Sequence, residues 1–150
     1  MTDLEQLFDD LIRFEIELWN AVDARLRAEF QLTMGSFDTM RVIGRLGSCR
    51  VQDLARELSI TVGGVSKVID RIEASGYCER RSNPDDRRSS IIELTPTGRA
   101  LLVAASAAFR SELQIRLGDA LPGRALEQLS ASLTRLRSVG ARLNTEGVDR

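Results

Sequence analysis

Histidine is missing altogether from the 150 residues. With it go the commonest metal ligand, the usual general base near neutral pH and every nucleophile arrangement built on an imidazole. Two cysteines, Cys49 and Cys78, are too few for a disulfide framework. In a reducing cytosol they stay thiols, two small apolar side chains unless one of them senses redox state. Long apolar runs are also absent, because Arg, Asp or Glu interrupts each within a few residues, so no segment reads as a membrane span. Met1-Thr2-Asp3-Leu4-Glu5 lacks the basic start and apolar core of a secretory signal. A cytoplasmic protein is expected. No glycine-rich phosphate loop, metal-ligand cluster or nucleophile and base pair assembles from these residues, which points away from an enzyme and from any cofactor or bound metal.

What is present is an uneven charge distribution beneath a net charge of -1. Residues 1–40 carry three Arg against nine acids, whereas residues 41–99 carry eleven Arg or Lys against eight acids. A dimer of such a chain can show a basic face to nucleic acid while being acidic overall. The length suits one core rather than two, so a single domain over 1–150 is expected.

Apolar residues then mark out the elements. Leu4, Leu7, Phe8, Leu11, Phe14, Leu18, Trp19, Val22 and Leu26 recur at helical spacing and predict one long amphipathic helix, its stripe too wide for a small domain to cover alone. Gly35 and Ser36 mark the next break. With Ser36 as N-cap, Phe37, Met40, Ile43 and Leu46 predict a second helix ending at Gly47. A short third helix fits Gln52 to Leu58, and the turn Ser59-Ile60-Thr61 leads into a fourth, capped by Thr61, striped by Val65, Val68, Ile69 and Ile72, and closed by a left-handed Gly76. Tyr77 to Arg81 and Ser90 to Leu94 read as strands around the polar turn Ser82 to Ser89, a hairpin with an arginine tip. Thr95-Pro96 opens another helix, striped by Leu102, Phe109, Leu113 and Leu117. After a break from Gly118 to Gly123, Leu126, Leu129, Leu133, Leu136 and Leu143 form a seam, with Gly140 in its vacant position and a tail free to fray from about Asn144. Packing within one monomer explains any one stripe; the stripes at both ends together point to a second subunit.

Helix, helix, turn, helix, strand, arginine-tipped hairpin, strand is the order of a winged helix-turn-helix, a mainly α fold with a small β-hairpin wing. Here the chain resembles the MarR family of bacterial transcription regulators. The resemblance rests on Val51-Gln52-Asp53-Leu54-Ala55, on Val65-Ser66-Lys67-Val68-Ile69-Asp70-Arg71-Ile72-Glu73 with Gly76, on Asn83-Pro84-Asp85-Asp86-Arg87-Arg88, and on Leu94-Thr95-Pro96-Thr97-Gly98. It implies dimerisation helices over residues 1–33 and 100–144 around a winged helix-turn-helix over 36–98. It also implies a homodimer that binds double-stranded DNA at a pseudo-palindromic operator and represses. A winged-helix module for protein contacts is the competing class.

The DNA-contact candidates are Thr61, Gly63, Gly64, Ser66, Lys67 and Arg71 on the recognition helix and Asp86, Arg87 and Arg88 on the wing. Two adjacent glycines early in a helix cost about 1 kcal/mol each relative to alanine, and close approach to DNA is one compensating reason. The resemblance implies that Asp86 orients Arg88 by a salt bridge while Arg88 enters a minor groove. It further implies a cleft for a small aromatic or phenolic ligand, for which Phe14, Trp19, Phe37, Met40 and Arg41 are candidates; core packing is the competing account of the four apolar ones. Relatives that sense peroxide use a cysteine near the start of the first helix, and none stands there in this chain.

Overall fold

Asp3, Thr33 and Thr61 each start a helix for the same reason: a side-chain oxygen accepts a backbone N–H that the first turn leaves unpaired. The computed structural model describes residues 1–147. Asp3 Oδ1 accepts from Glu5 and Gln6 and opens α1, Leu4–Phe30. Thr33 Oγ1 accepts from the Ser36 N–H at 3.0 Å and opens α2, Met34–Leu46. The expected cap, Ser36, therefore lies inside the first turn and is buried. The reason is the carboxylate of Asp23, which accepts the Met34 N–H at 2.8 Å and draws the helix start back past Gly35.

A two-residue strand, β1 (Cys49–Arg50), precedes α3 (Val51–Leu58) and α4 (Val62–Ala74); β2 (Cys78–Ser82), β3 (Ser90–Leu94) and α5 (Pro96–Leu113) follow. The hairpin is thus part of a three-stranded antiparallel sheet in the order β1-β3-β2. Cys49 pairs with Ile92 on one edge and Arg80 with Ile92 on the other. Two residues are too short a run to leave a periodic signal, which is why β1 was not expected.

Two compact units result, Met1–Glu112 and a second beginning at Leu113. The first is built around α2. Phe37, Met40 and Ile43 are fully buried with Leu54 of α3, Val65 and Ile69 of α4, and Ile92 of β3. Val68, expected in the buried stripe, is only partly covered. Phe109 of α5 closes over Phe37 with ring centroids 5.1 Å apart. Of α1 only Val22 and Leu26 are buried; Leu4, Leu7, Phe8, Leu11, Phe14 and Trp19 stand exposed.

In the second unit a π-helical turn, Gln114–Gly118, contains Leu117, which was expected on the stripe of the preceding helix. Then comes α6, Gly123–Gly147. None of its described side chains is buried in the monomer, and Leu133, Leu136 and Leu143 are exposed. Helix continues past Asn144, where fraying was expected; the rest of that expected tail, from residue 148, lies outside the described residues. No helix among the described residues is long and apolar enough to cross a membrane.

One junction ties α4, β2 and α5 together. Gly76 turns the chain with a φ of +79°, a conformation that suits glycine. The Thr95 hydroxyl donates to the Gly76 carbonyl at 2.7 Å and accepts the Gly98 N–H at 3.0 Å, while the Thr95 N–H donates to Tyr77 O. A Cβ on Gly98 would fall 1.9 Å from that same Tyr77 oxygen. Gly98→Ala is therefore expected to cost about 1–3 kcal/mol, seen as a Tm lower by roughly 3–10 °C in a thermal melt.

Both cysteines belong to this core. Cys49 Sγ lies 3.9 Å from Ile92 O, and Cys78 Sγ 3.8 Å from Ile69 O. Burial pushes both thiols up to about 11. A raised thiol pKa favours the folded state below the ordinary thiol range and loses that contribution as pH rises from about 8.5 to about 11. Labelling with a thiol-specific disulfide reagent at pH 8 should be slower than for the unfolded chain by roughly a hundredfold or more. Rapid labelling of either thiol in the native protein would contradict this burial.

Candidate nucleic-acid interface

The surface of α4 is unusually bare at its start. Thr61 spends its hydroxyl oxygen on the Gly64 N–H at 3.1 Å. A Cβ on Gly63 would meet nothing within 4 Å, and one on Gly64 would meet only Thr61 Oγ1 at 3.2 Å. Neither glycine has a positive φ. Nothing inside the chain therefore requires glycine at 63, and the helix cost of having it there has no internal return. Gly63, Lys67 and Arg71 are four residues apart and share one exposed face, with Ser66 half-buried beside them.

The wing is held by its own backbone. Asn83, buried, donates through Nδ2 to Ser89 Oγ at 3.0 Å and accepts the Asp85 N–H at 3.0 Å. The Ser89 N–H donates to Asp86 O, closing the tip. Asp86 does not make the salt bridge to Arg88 that the resemblance implied; its Oδ1 accepts the Arg88 backbone N–H at 3.0 Å instead. An acid two residues before an amide in a tight turn reaches that amide first. The Arg88 side chain is left exposed, as is that of Arg87. Among the described residues Lys67, Arg71, Arg87 and Arg88 have no carboxylate within ion-pair distance.

Other arginines nearby are committed. Arg81 pairs with Glu93 across the hairpin. Arg50, at the start of α3, shares Asp53 through both its backbone N–H and its guanidinium, and these hydrogen bonds hold the Asp53 carboxyl below its usual range. Arg80, which the sequence reading passed over, reaches from β2 to Asp70 at 2.6 Å and Glu73 at 2.9 Å on α4. Burial opposes its charge, yet the two carboxylates raise its pKa above the ordinary value. The available signal was the alternation of β2, which puts Arg80 on the same side as buried Cys78, above an i, i+3 pair of acids.

The five ligand candidates do not come together. Phe37 and Met40 are wholly buried core residues. Phe14 and Trp19 are exposed on α1, Trp19 beside a shallow hollow with Glu15, Ile16 and Asn20. Arg41 lies over the Phe109 and Phe37 rings, 4.7 and 5.7 Å from their centroids, and pairs with Asp38 at 3.2 Å. It alone of the five lines an open cavity of about 710 Å³, whose walls include Arg45, Glu57, Leu94, Arg99 and Leu102. Helical spacing placed Phe37 and Met40 on a common face, but that face is buried in the core, where Phe109 of α5 closes over Phe37.

Residues 32–90 match the family model of the MarR family. The chain is 33% identical over 60 residues to the uncharacterized HTH-type transcriptional regulator YwhA of Bacillus subtilis, a match covering 40% of this chain and 43% of that one. It is 31% identical over 70 residues to the multiple antibiotic resistance protein MarR of Salmonella typhimurium, covering 47% and 49%. The aligned part thus spans about half the length of these curated relatives. Among solved structures, Sco3205, a MarR family transcriptional regulator from Streptomyces coelicolor in complex with DNA, has the same fold, with a TM-score of 0.84 at 21% identity over 93% of this chain and 89% of that one. Residues 32–90, from just past α1 to the first residue of β3, thus carry the chain's likeness to the MarR family.

Proposed function

We propose that the chain is a DNA-binding transcription regulator that reads a pseudo-palindromic operator as a two-fold homodimer and represses. The observation that carries this reading is the set of uncommitted cations on two adjacent elements, Lys67 and Arg71 on α4 and Arg87 and Arg88 on the wing. A recognition helix offers such groups to phosphates while its first turn meets base edges. The bare stretch at Gly63 and Gly64 lets backbone approach the groove, and Thr61 and Ser66 supply the short polar side chains there. Arg88, its backbone fixed by Asp86, is the minor-groove contact, and Arg87 the phosphate contact.

The exposed apolar residues of α1 and the leucine seam of α6 support a second copy as the partner that covers them. Two recognition helices then enter major grooves about one helical turn apart. Release by a small aromatic acid belongs to the same reading, with Arg41 at the rim of the 710 Å³ cavity as its carboxylate partner.

The test is fluorescence anisotropy with duplex from upstream of the chain's own gene against shuffled duplex, across a salt series. Selective binding with two chains per duplex is expected. Arg88→Ala should weaken it and reduce the log–log salt slope by about one per subunit. Gly63→Ala should stabilise the free chain, by up to about 1 kcal/mol, and still lose DNA affinity. Equal and weak binding to both duplexes would sink the reading in favour of a protein-contact module.

A further inference from the structure

We infer that Arg80 is a positioning residue that joins the wing and the recognition helix into one DNA-reading body. This rests on the DNA reading above. Arg80 sits at the middle of β2 and faces α4. Its guanidinium takes Asp70 at 2.6 Å and Glu73 at 2.9 Å, and its backbone N–H donates to the second oxygen of Glu73 at 3.0 Å. Two carboxylates on successive turns of α4 are thereby held by one residue of the wing, whose own side chain is only 26% exposed.

Geometry gives the clamp its importance. The arginine tip lies some way out along the hairpin, roughly 15 Å beyond Arg80 at the usual rise of a strand. A tilt of about 10° at the base would move the tip by roughly 3 Å at that lever arm, enough to take Arg88 from one groove contact to none. Asn83 and Asp86 hold the tip together but do not fix it relative to α4. Arg80 does so from the middle of the strand.

Charge adds a second reason. Asp70 is 67% exposed and stands next to Arg71 and three residues from Lys67. An unneutralised acid there repels the phosphates that those cations attract. Arg80 cancels it from behind without occupying the helix face. Lysine matches this less well, because its compact ammonium lacks the spread of the two guanidinium nitrogens that take Glu73 and Asp70 separately.

The experiment is a double-mutant cycle on a duplex enriched from a random-sequence library by the wild-type chain, with affinities measured by anisotropy. Arg80→Met should weaken binding about tenfold or more. Arg88→Ala, costly in the wild type, should cost less than a third as large a factor in the Arg80→Met background, because a displaced wing no longer delivers Arg88. A merely structural role would lower the active fraction and leave that coupling unchanged. Should Arg80→Met fold poorly, Glu73→Gln loosens the same clamp more gently and should show the same non-additivity. Equal factors for Arg88→Ala with and without the clamp, or binding by Arg80→Met within twofold of wild type, would overturn the inference. Failure to enrich any duplex would sink the DNA reading itself, a separate and recognisable outcome.

Discussion

Burial of one face of α2 is the constraint on which the first unit depends. Phe37, Met40 and Ile43 lie at zero exposure, and Val65, Ile69, Leu54 and Ile92 reach zero exposure in the same core. Each such side chain contributes about 1.5–3 kcal/mol on leaving water. The helices α3 and α4, of 8 and 13 residues, are too short to hold their shape alone. They exist because this shared core covers their stripes. The exposed faces of α4 and of the hairpin are consequently fixed in direction by residues that never meet a partner, and this is how a core specifies an interface.

The first half of α1 obeys no such constraint. From Leu4 to Trp19 its large apolar residues stand exposed except Leu18, which is half-buried, in a row too long to be scattered surface hydrophobics. A second copy is the proposed cover for so regular a stripe. The acidic excess of residues 1–40 fits the same division of labour, since it keeps negative charge away from the basic middle of the chain.

Periodicity made the helices legible, since each carries several apolar residues at three-four spacing. Turn chemistry made Gly76, Thr61 and Thr95 legible at their posts. Where a short local signal competed with a long-range one, reading failed. Ser36 looked like a cap until Asp23, thirteen residues earlier, claimed the Met34 amide. β1 has two residues and exists only through its pairing with β3. Phe37 and Met40 could not be sorted between core and cleft without knowing which side of α2 the rest of the chain covers. Asp86 and Arg88 were a recognisable pair, yet whether acid meets side chain or amide depends on the turn's geometry. Arg80 was hidden because its partners lie seven and ten residues back, across a turn, a distance that no single helix or strand period spans.

The sheet order has a consequence for where the domain ends. β3 is the central strand, between β1 and β2, and its hydrogen bonds run from Ser90 to Leu94. The family signature stops at residue 90, where that strand begins. A fragment cut there would keep every residue assigned to DNA and lose the strand between the two others, together with the Thr95 bond to Gly76. The segment that holds the residues proposed for recognition thus stops short of the strand that joins the rest of its sheet.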